Sequence, residues 1–378
     1  MTEKESALYS HYIIDGTRQD ATPAELMNEC MEFPDPEMTG SFADIIDEST
    51  DPPVTSFTYD CTLNSHYAEQ TKAASMSERP FRMLYPSHFT KLQIAKSLLS
   101  RLWSKGHFRL GDLRIWAQWD WNTRPIGNMA AFYSSIETTS DWLYGIGVKI
   151  NDYAFIESDE ESNVKFFAWL PEYEESTPSE MEVVEPYESH HPWIDEERIC
   201  PRKAVSVEDS KIIYIPFDTC AFKLGGSLLA EVYGHNGGPS PQMLDPDYFI
   251  DCYEVIRELA EDGIIIAGVT VADGGLATAA TRMCGETGIE IDASGLIASY
   301  QPTDSTRVLF SEVPGVLVQV SEDNYDYFDS QLLLQDVAYY PLGRITSGSI
   351  GVRFTEGADR EVAGILASLL AQASEGED

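Results

Sequence analysis

The chain has 378 residues, with 63 Asp and Glu against 25 Lys and Arg, which gives a formal net charge of −38 and an isoelectric point near 4.3. Its hydrophobic content of 43% is enough for packed cores and excludes wholesale disorder. At roughly 150 residues per domain, the length favours two or three domains. Because so negative a field repels phosphate backbones and anionic lipid headgroups, the composition argues against nucleic-acid and membrane-surface binding.

Targeting and redox signals are sparse. No apolar run approaches the roughly 20 residues that span a bilayer, and the first residues lack the basic and apolar regions of a signal peptide. The six cysteines are scattered without a CxxC pair, which is typical of reduced thiols in a cytoplasmic protein. The pair His190–His191 lies in a polar, proline-flanked stretch, which favours a surface loop over a metal site.

The first half of the chain predicts helices and strands in alternation. Periodicity indicates helices over PAELMNECMEF, Lys91–Trp103 and Asn128–Gly145, the last closing at a glycine. Strand formers indicate strands over Leu113–Trp121 and IGVKINDYAFI, and a strand and turn over Thr58–Tyr67. This order indicates an α/β or α+β layer.

A change of composition follows at Glu157–Glu197, which holds fourteen acidic residues and a single lysine. We interpret its middle as a solvated loop or linker, with a strand at Phe166–Leu170, rather than as a docking motif.

Beyond the linker the patterns are clearer. Buried strands are predicted at Lys211–Asp218, Ile264–Val271 and Val313–Ser321, and a short edge strand at Tyr339–Thr346. Helices are predicted over LLAEVYG, over the segment that Asp245 caps and Gly263 ends, over LATAATRMCG and near the C-terminus.

Two strand–glycine–helix junctions carry the functional signal, at Leu224–Ser227 and Ala272–Gly275. Glycines let the backbone approach a ligand, and free N–H groups at a helix start attract phosphate. Taken alone, a glycine pair at a strand–helix turn more often serves tight packing than ligand binding, and neither junction fits the Walker or GxGxxG pattern. The candidate nucleotide- or phosphate-binding residues are Gly225, Gly226, Ser227, Asp273, Gly274, Gly275 and Lys96.

The order of segments resembles the C-terminal half of large-type phosphoribosylformylglycinamidine synthase, of the aminoimidazole ribonucleotide synthase-related superfamily. YIPFDTCAFKLGGSLLAEVYG, DPDYFIDCYEVIRELAEDGIIIAGVTVADGG, GIEID and RVLFSEVPGVLVQVSED carry the resemblance, and earlier segments such as QIAKSLLSRLW agree in order. It covers about residues 55–346, without counterparts of the family's first synthase half, small N-terminal domain or glutaminase domain.

The resemblance implies a two-domain α/β (α+β) architecture with mixed sheets covered by helices. The expected parts are an acidic leader with a short helix (1–54), an N-terminal-type domain (55–160), an acidic linker with a strand (161–205), a C-terminal-type domain (206–355) and a terminal helix with an acidic tail (356–378). In the family, ATP and glutamine-derived ammonia convert a formylglycinamide ribonucleotide to its amidine, with Mg²⁺ held by carboxylate and amide oxygens.

The polar positions of the family motifs are replaced in this chain. The metal-binding Glu and Asn of E-A-L-T-N fall on Lys96 and Ser100, and the acidic residue of P-G-E-D falls on Asn128. The other replaced positions are Tyr153, Ala154 and Phe155 for the family's G-K-D, and Val269 and Thr270 for the His and Asp of H-D-x-S-x-G-G.

These losses predict a non-catalytic relative with no bound metal or cofactor, acting as a homodimer or with a chain that supplies the missing half. One alternative is an active ATP-dependent ligase that uses Mg-ATP or Mg-ADP. Another is a metal-free module for a phosphorylated small molecule, with Lys96 binding the phosphate. Asp60, Glu69 and Glu312 are expected at the surface because no partner for them is visible in the sequence.

Overall fold

The computed structural model describes residues 7–31, 57–59, 62–75, 79–103, 108–169, 200–207, 209–235, 238–285, 287–300, 303–346 and 351–355. The helices include α1 (Pro23–Cys30), α2 (Thr62–Ala74), α3 (Pro86–Ser100), α4 (Asn128–Ile146), α5 (Leu228–Val232), α6 (Pro246–Glu261), α7 (Gly275–Cys284), α8 (Ser294–Ser299), α9 (Ser305–Phe310) and α10 (Glu322–Leu334). The strands are β1 (Ile13–Ile14), β2 (Thr17–Arg18), β3 (Phe57–Tyr59), β4 (Arg114–Trp121), β5 (Lys149–Glu157), β6 (Asn163–Trp169), β7 (Ser210–Pro216), β8 (Ile265–Val271), β9 (Gly288–Asp292), β10 (Gly315–Ser321), β11 (Tyr340–Thr346) and β12 (Gly351–Thr355).

The chain forms two compact units that interleave along the sequence. Unit 1 comprises residues 1–50, 80–200 and 246–263, and unit 2 comprises residues 51–79, 201–245 and 264–378. Helix α6 therefore belongs to unit 1, although the segments on either side of it belong to unit 2. The predicted domains are each continuous in sequence, whereas each of these units combines three separate segments. The domain boundaries therefore stay a prediction.

Unit 1 is built on a three-stranded sheet of order β5-β4-β6, in which β4 runs parallel to β5 and antiparallel to β6. Strand β4 is nearly all buried because α4 contributes aromatic rings against it. The Phe132 ring lies 5.5 Å from that of Trp121 and 5.0 Å from that of Phe155. Trp119 Nε1 donates to Ser135 Oγ at 3.0 Å, so the indole's polar group is satisfied inside this core.

Unit 2 is built on a seven-stranded mixed sheet of order β3-β12-β9-β11-β7-β10-β8. Strands β3, β12 and β9 run parallel, and the pairings from β9 to β8 are antiparallel. Helix α7 packs on this sheet and on α9, and all ten of its residues are buried. Its run of small residues suits such a position, since alanine and threonine let the helix approach neighbouring backbone closely.

Most of the predicted elements are confirmed, and the mixed α/β class with them. Helix α4 ends at Ile146 and is capped by Gly147, two residues beyond the predicted glycine, and the described part of the strand predicted at Phe166–Leu170 is the second part of β6. The helix after Asp245 buries the apolar stripe that its periodicity predicts. The spacing of apolar residues and the position of glycines along the sequence were therefore enough to predict these elements.

Two predicted elements are wrong. Thr58–Tyr67 was expected as a strand and turn, but only β3 is extended and α2 begins at Thr62. The buried residues Asn64, Ala68 and Thr71 recur at the helical period, which the polar composition of the segment obscures.

Strand β11 was expected at a sheet edge and instead lies between β9 and β7. Its Pro341 lacks the N–H that an interior ladder uses. A register shift between Pro341 and Gly343 accommodates this loss, so that pairing with β7 resumes at Gly343.

Several expectations fall outside the described residues: the terminal helix, the middle of the acidic linker, the His190–His191 pair and Asp60. Within the described residues, no helix is both long and apolar enough to cross a membrane. None of the five described cysteines is in a disulfide, and burial raises the pKa of the Cys30 thiol to about 11.

Candidate functional site

The first glycine junction links β7 to α5 in unit 2. The Gly225 N–H donates to the Pro239 carbonyl oxygen at 3.0 Å, so the backbone at Pro239 is held beside this junction. Ser227 is the N-cap of α5, with its Oγ accepting from the Ala230 N–H at 3.2 Å and donating to the Leu224 carbonyl at 2.7 Å. The Ser227 hydroxyl is thus committed to the turn.

The second junction joins β8 to α7, also in unit 2. Gly274 precedes α7 in a left-handed conformation with φ of +77°, and Gly275 follows at +67°. The Gly275 N–H donates to the Ala272 carbonyl at 2.9 Å, which tightens the turn. The backbone therefore enters α7 with two successive residues at positive φ.

Glu312, between α9 and β10, connects the two junctions. Its Oε1 accepts the Gly274 N–H and the Leu228 N–H, each at 2.8 Å. These are the backbone donors at the starts of α7 and α5, where a bound phosphate would lie. The carboxylate of this fully buried residue therefore occupies, from within the chain, the position of an anion.

Arg79 completes the cluster, since its Nη1 donates to Glu312 Oε2 at 2.9 Å and to Asp273 Oδ1. Its Nη2 donates to the Gly226 carbonyl at 3.2 Å, so the guanidinium also contacts the first junction. We call Arg79, Asp273 and Glu312 the buried ionic cluster; the exposed fraction of each side chain is 7% or less.

Burial and charge pairing act in opposite directions on the charged groups of this cluster. Burial raises the pKa of Glu312, because the charged form loses its hydration, while Arg79 and the two backbone donors act to lower it. Burial lowers the pKa of Arg79, but Glu312 and Asp273 outweigh it and raise that pKa above its ordinary value. The cluster thus depends on the arginine to hold two carboxyl groups inside the protein.

The remaining predicted positions lie in unit 1 or in the sheet of unit 2. Lys96 and Ser100 are half-buried on α3, and the Ser100 hydroxyl donates to the Ser97 carbonyl at 2.6 Å. Asn128 begins α4 and donates to the Asn122 carbonyl at 2.9 Å. Lys96 belongs to unit 1, whereas both glycine junctions belong to unit 2.

The residues at the positions of the family's G-K-D run and of the His and Asp of its H-D-x-S-x-G-G motif all lie in strands. Tyr153, Ala154 and Phe155 lie in β5, where burial raises the pKa of the Tyr153 hydroxyl to about 12. Val269 is buried in β8 beside Thr270. Apolar packing is the observed role of Phe155 and Val269.

The residues present do not fit a Mg-nucleotide at the glycine junctions. Magnesium requires oxygen ligands in octahedral geometry, but Asp273 and Glu312 both face Arg79. In the described part of the chain, no three His, Cys, Asp or Glu side chains are grouped so as to hold a metal ion.

The sequence missed two features of this site. Glu312 was expected at the surface and is instead its fully buried centre. Arg79 was not singled out, because its partners lie 194 and 233 residues away along the chain. No local pattern reports a contact of that sequence separation. Glu69 is exposed on α2, in agreement with its expected surface position.

Comparisons with known proteins agree with the fold. Residues 219–354 match the family model described as AIR synthase related protein, C-terminal domain. The probable phosphoribosylformylglycinamidine synthase, chloroplastic/mitochondrial, of Arabidopsis thaliana is 24% identical over 282 residues, which are 74% of this chain and 19% of that protein. The Homo sapiens phosphoribosylformylglycinamidine synthase is 22% identical over 261 residues, covering 66% of this chain and 18% of that one.

Among solved structures, T. maritima PurL complexed with FGAR superposes with a TM-score of 0.51 at 12% identity, covering 72% of this chain and 41% of that one. The chain spans about a fifth of the length of these two curated relatives. The resemblance to phosphoribosylformylglycinamidine synthase is therefore confirmed, and residues 219–354 match the C-terminal domain of AIR synthase related proteins.

Proposed function

We propose that this chain is a non-catalytic relative of phosphoribosylformylglycinamidine synthase, with a structural or regulatory role in purine biosynthesis. The observation that carries the proposal is the position of Glu312, whose carboxylate takes the backbone donors of both glycine junctions. A phosphate at the same donors would have to displace a buried carboxylate that also bonds to Arg79. The glycines then serve close packing rather than nucleotide binding.

The replaced metal positions support the same proposal. Lys96 and Ser100 stand where the family has metal-binding Glu and Asn, and a cation at the first of these repels Mg²⁺. The competing function is an active ATP-dependent carbon–nitrogen ligase, which would need a nucleotide site that depends on magnesium.

Thermal unfolding of the full chain separates these two functions. A nucleotide present with its metal at 100 times its Kd would add about 2.7 kcal/mol to the free energy of unfolding. We expect no rise in Tm with Mg-ATP or Mg-ADP beyond that seen with the same nucleotide in EDTA. A rise that requires magnesium, accompanied by phosphate release when the formylglycinamide ribonucleotide and ammonia are added, would establish the ligase instead.

We further propose that the chain forms a homodimer, in which the second copy supplies a second synthase half, since the chain matches only about a fifth of the length of the Arabidopsis thaliana and Homo sapiens relatives. Light scattering at micromolar concentration is expected to give the mass of a dimer, about twice 42.2 kDa, and a stable monomer would contradict the proposal.

A further inference from the structure

Unit 2 contains a second pocket, which lies on the Gly225 side of the first glycine junction and includes none of the buried ionic cluster. Its volume is about 330 Å³, which is within the range of small-molecule sites. The residues that line it include Tyr67, Lys223, Gly225, Tyr233, His235 and Arg307. We call it the basic pocket.

The charge of the basic pocket is opposite to that of the chain. Lys223, His235 and Arg307 line it, and no Asp or Glu among the described residues does, although acidic residues outnumber Lys and Arg by 63 to 25 in the sequence. A lining that excludes the commoner sign of charge indicates an anionic ligand, since clustered cations repel one another unless an anion offsets them.

The cations of the pocket are well placed to bind an anion. Lys223 is fixed at its backbone, since its N–H donates to Ser311 Oγ at 3.1 Å and its carbonyl accepts from the same hydroxyl at 2.7 Å. Within the described residues its ammonium group has no carboxylate partner. Arg307 uses Nη1 for Asp304, which also caps the start of α9, and so keeps other N–H donors of its five.

Aromatic rings form another part of the lining. The rings of Tyr67 and Tyr233 meet edge to face, with centroids 5.1 Å apart, and Tyr67 is braced by Phe310 at 6.0 Å. Tyr233 is 37% exposed, so one part of its ring can accept a flat ligand group by stacking. Cations beside an accessible tyrosine ring favour a phosphate ester that also carries a planar ring.

We propose that the basic pocket binds such a ligand, of the nucleoside monophosphate class, without a metal ion. Lys223 and Arg307 would contact the phosphate, and the Tyr233 ring would stack on the base. The site is independent of the buried ionic cluster, so it can be present whether or not the chain is catalytic.

The test uses the full chain in EDTA, with calorimetric titration of purine and pyrimidine nucleoside monophosphates, and with adenosine and inorganic phosphate as partial probes. We expect at least one monophosphate to bind more than tenfold more tightly than either partial probe. Lys223→Ala should weaken that binding about tenfold, whereas Arg353→Ala, which removes an exposed cation of β12 outside the pocket, should leave it unchanged. Tyr233→Phe should retain binding and Tyr233→Ala should lose most of it.

Two outcomes would overturn the proposal: the absence of binding by every monophosphate, or binding that Lys223→Ala and Tyr233→Ala leave unaltered. These arms contain no magnesium, so their result is separate from the test of Mg-nucleotide binding above. Circular dichroism of each variant confirms that the fold is intact, as expected because Lys223 and Tyr233 are partly exposed.

Discussion

Arg79→Met is expected to lower the free energy of unfolding by about 3–5 kcal/mol at neutral pH, because it leaves two buried carboxyl groups without their cation. Asp273 and Glu312 would then face each other inside the protein, with side chains that are 7% and 0% exposed. The Gly226 carbonyl would lose its donor as well. Urea denaturation of the wild type and the variant measures the effect.

Arg257→Met is the matched control. The Arg257 side chain is as buried as that of Arg79, at 2% exposure, and it also bonds to several carboxylates. Those carboxylates, however, belong to Glu254, Glu258 and Glu261, which are 31%, 61% and 18% exposed and stay hydrated without the arginine. We expect a loss of about 1–2 kcal/mol there. Equal losses at the two arginines would show that the buried ionic cluster has no special importance.

The loss in Arg79→Met should also depend on pH. Arg79 acts to lower the pKa of Glu312, and burial acts to raise it, so removing the arginine raises the pKa of Glu312 in the folded state further. A folded-state pKa above the unfolded value gives a stability that is present at low pH and lost as pH rises through the folded pKa. The variant should therefore be closer to the wild type at pH 5 than at pH 8, and the reverse order would contradict this account.

Gly275→Ala is expected to cost about 3 kcal/mol of stability, because the alanine would be strained in its backbone and in its packing at once. The residue has φ of +67°, and an added Cβ would lie 2.7 Å from the carbonyl oxygens of Leu309 and Ser311. Neither oxygen belongs to a flexible side chain. Overpacking costs about 1–3 kcal/mol and left-handed backbone about 1–2 kcal/mol more.

Gly234→Ala separates the two contributions. Gly234 has nearly the same φ, +66°, but nothing lies within 4 Å of its added Cβ. We expect this variant to lose only about 1 kcal/mol. If Gly275→Ala and Gly234→Ala unfolded at the same denaturant concentration, Gly275 would be needed only for its positive φ. Close packing of α7 against the α9–β10 segment would then not account for the glycine at this position.

Together, these two experiments address how the glycine junctions should be understood. In a nucleotide-binding protein, glycines at a strand–helix turn leave room for phosphate. In this chain, carbonyl oxygens fill the space beside Gly275. The N–H groups of Gly274 and Leu228 already donate to Glu312. The non-catalytic proposal requires that Arg79→Met and Gly275→Ala each lower the free energy of unfolding. It also requires that Mg-nucleotide leave the Tm of the wild type unchanged.

The sequence alone determined the local elements and the family resemblance. The helical period of Lys91–Trp103 became α3, and strand formers became β4, because both depend on neighbours within a few residues. The order of the later segments was enough to indicate the resemblance to the superfamily, and the sequence showed that acidic residues are gathered at Glu157–Glu197. Polar α2, by contrast, carried too weak a pattern to be predicted as a helix.

Only the tertiary structure decided which polar residues meet. Arg79 reaches Asp273 and Glu312 across 194 and 233 residues of sequence, and the basic pocket gathers Tyr67, Lys223 and Arg307 from three separate segments. Strand β11 likewise took an interior place in the sheet despite its proline. Such contacts arise when apolar faces pack and bring distant segments together, and a single sequence records the periodicity of those faces but not which of them become neighbours.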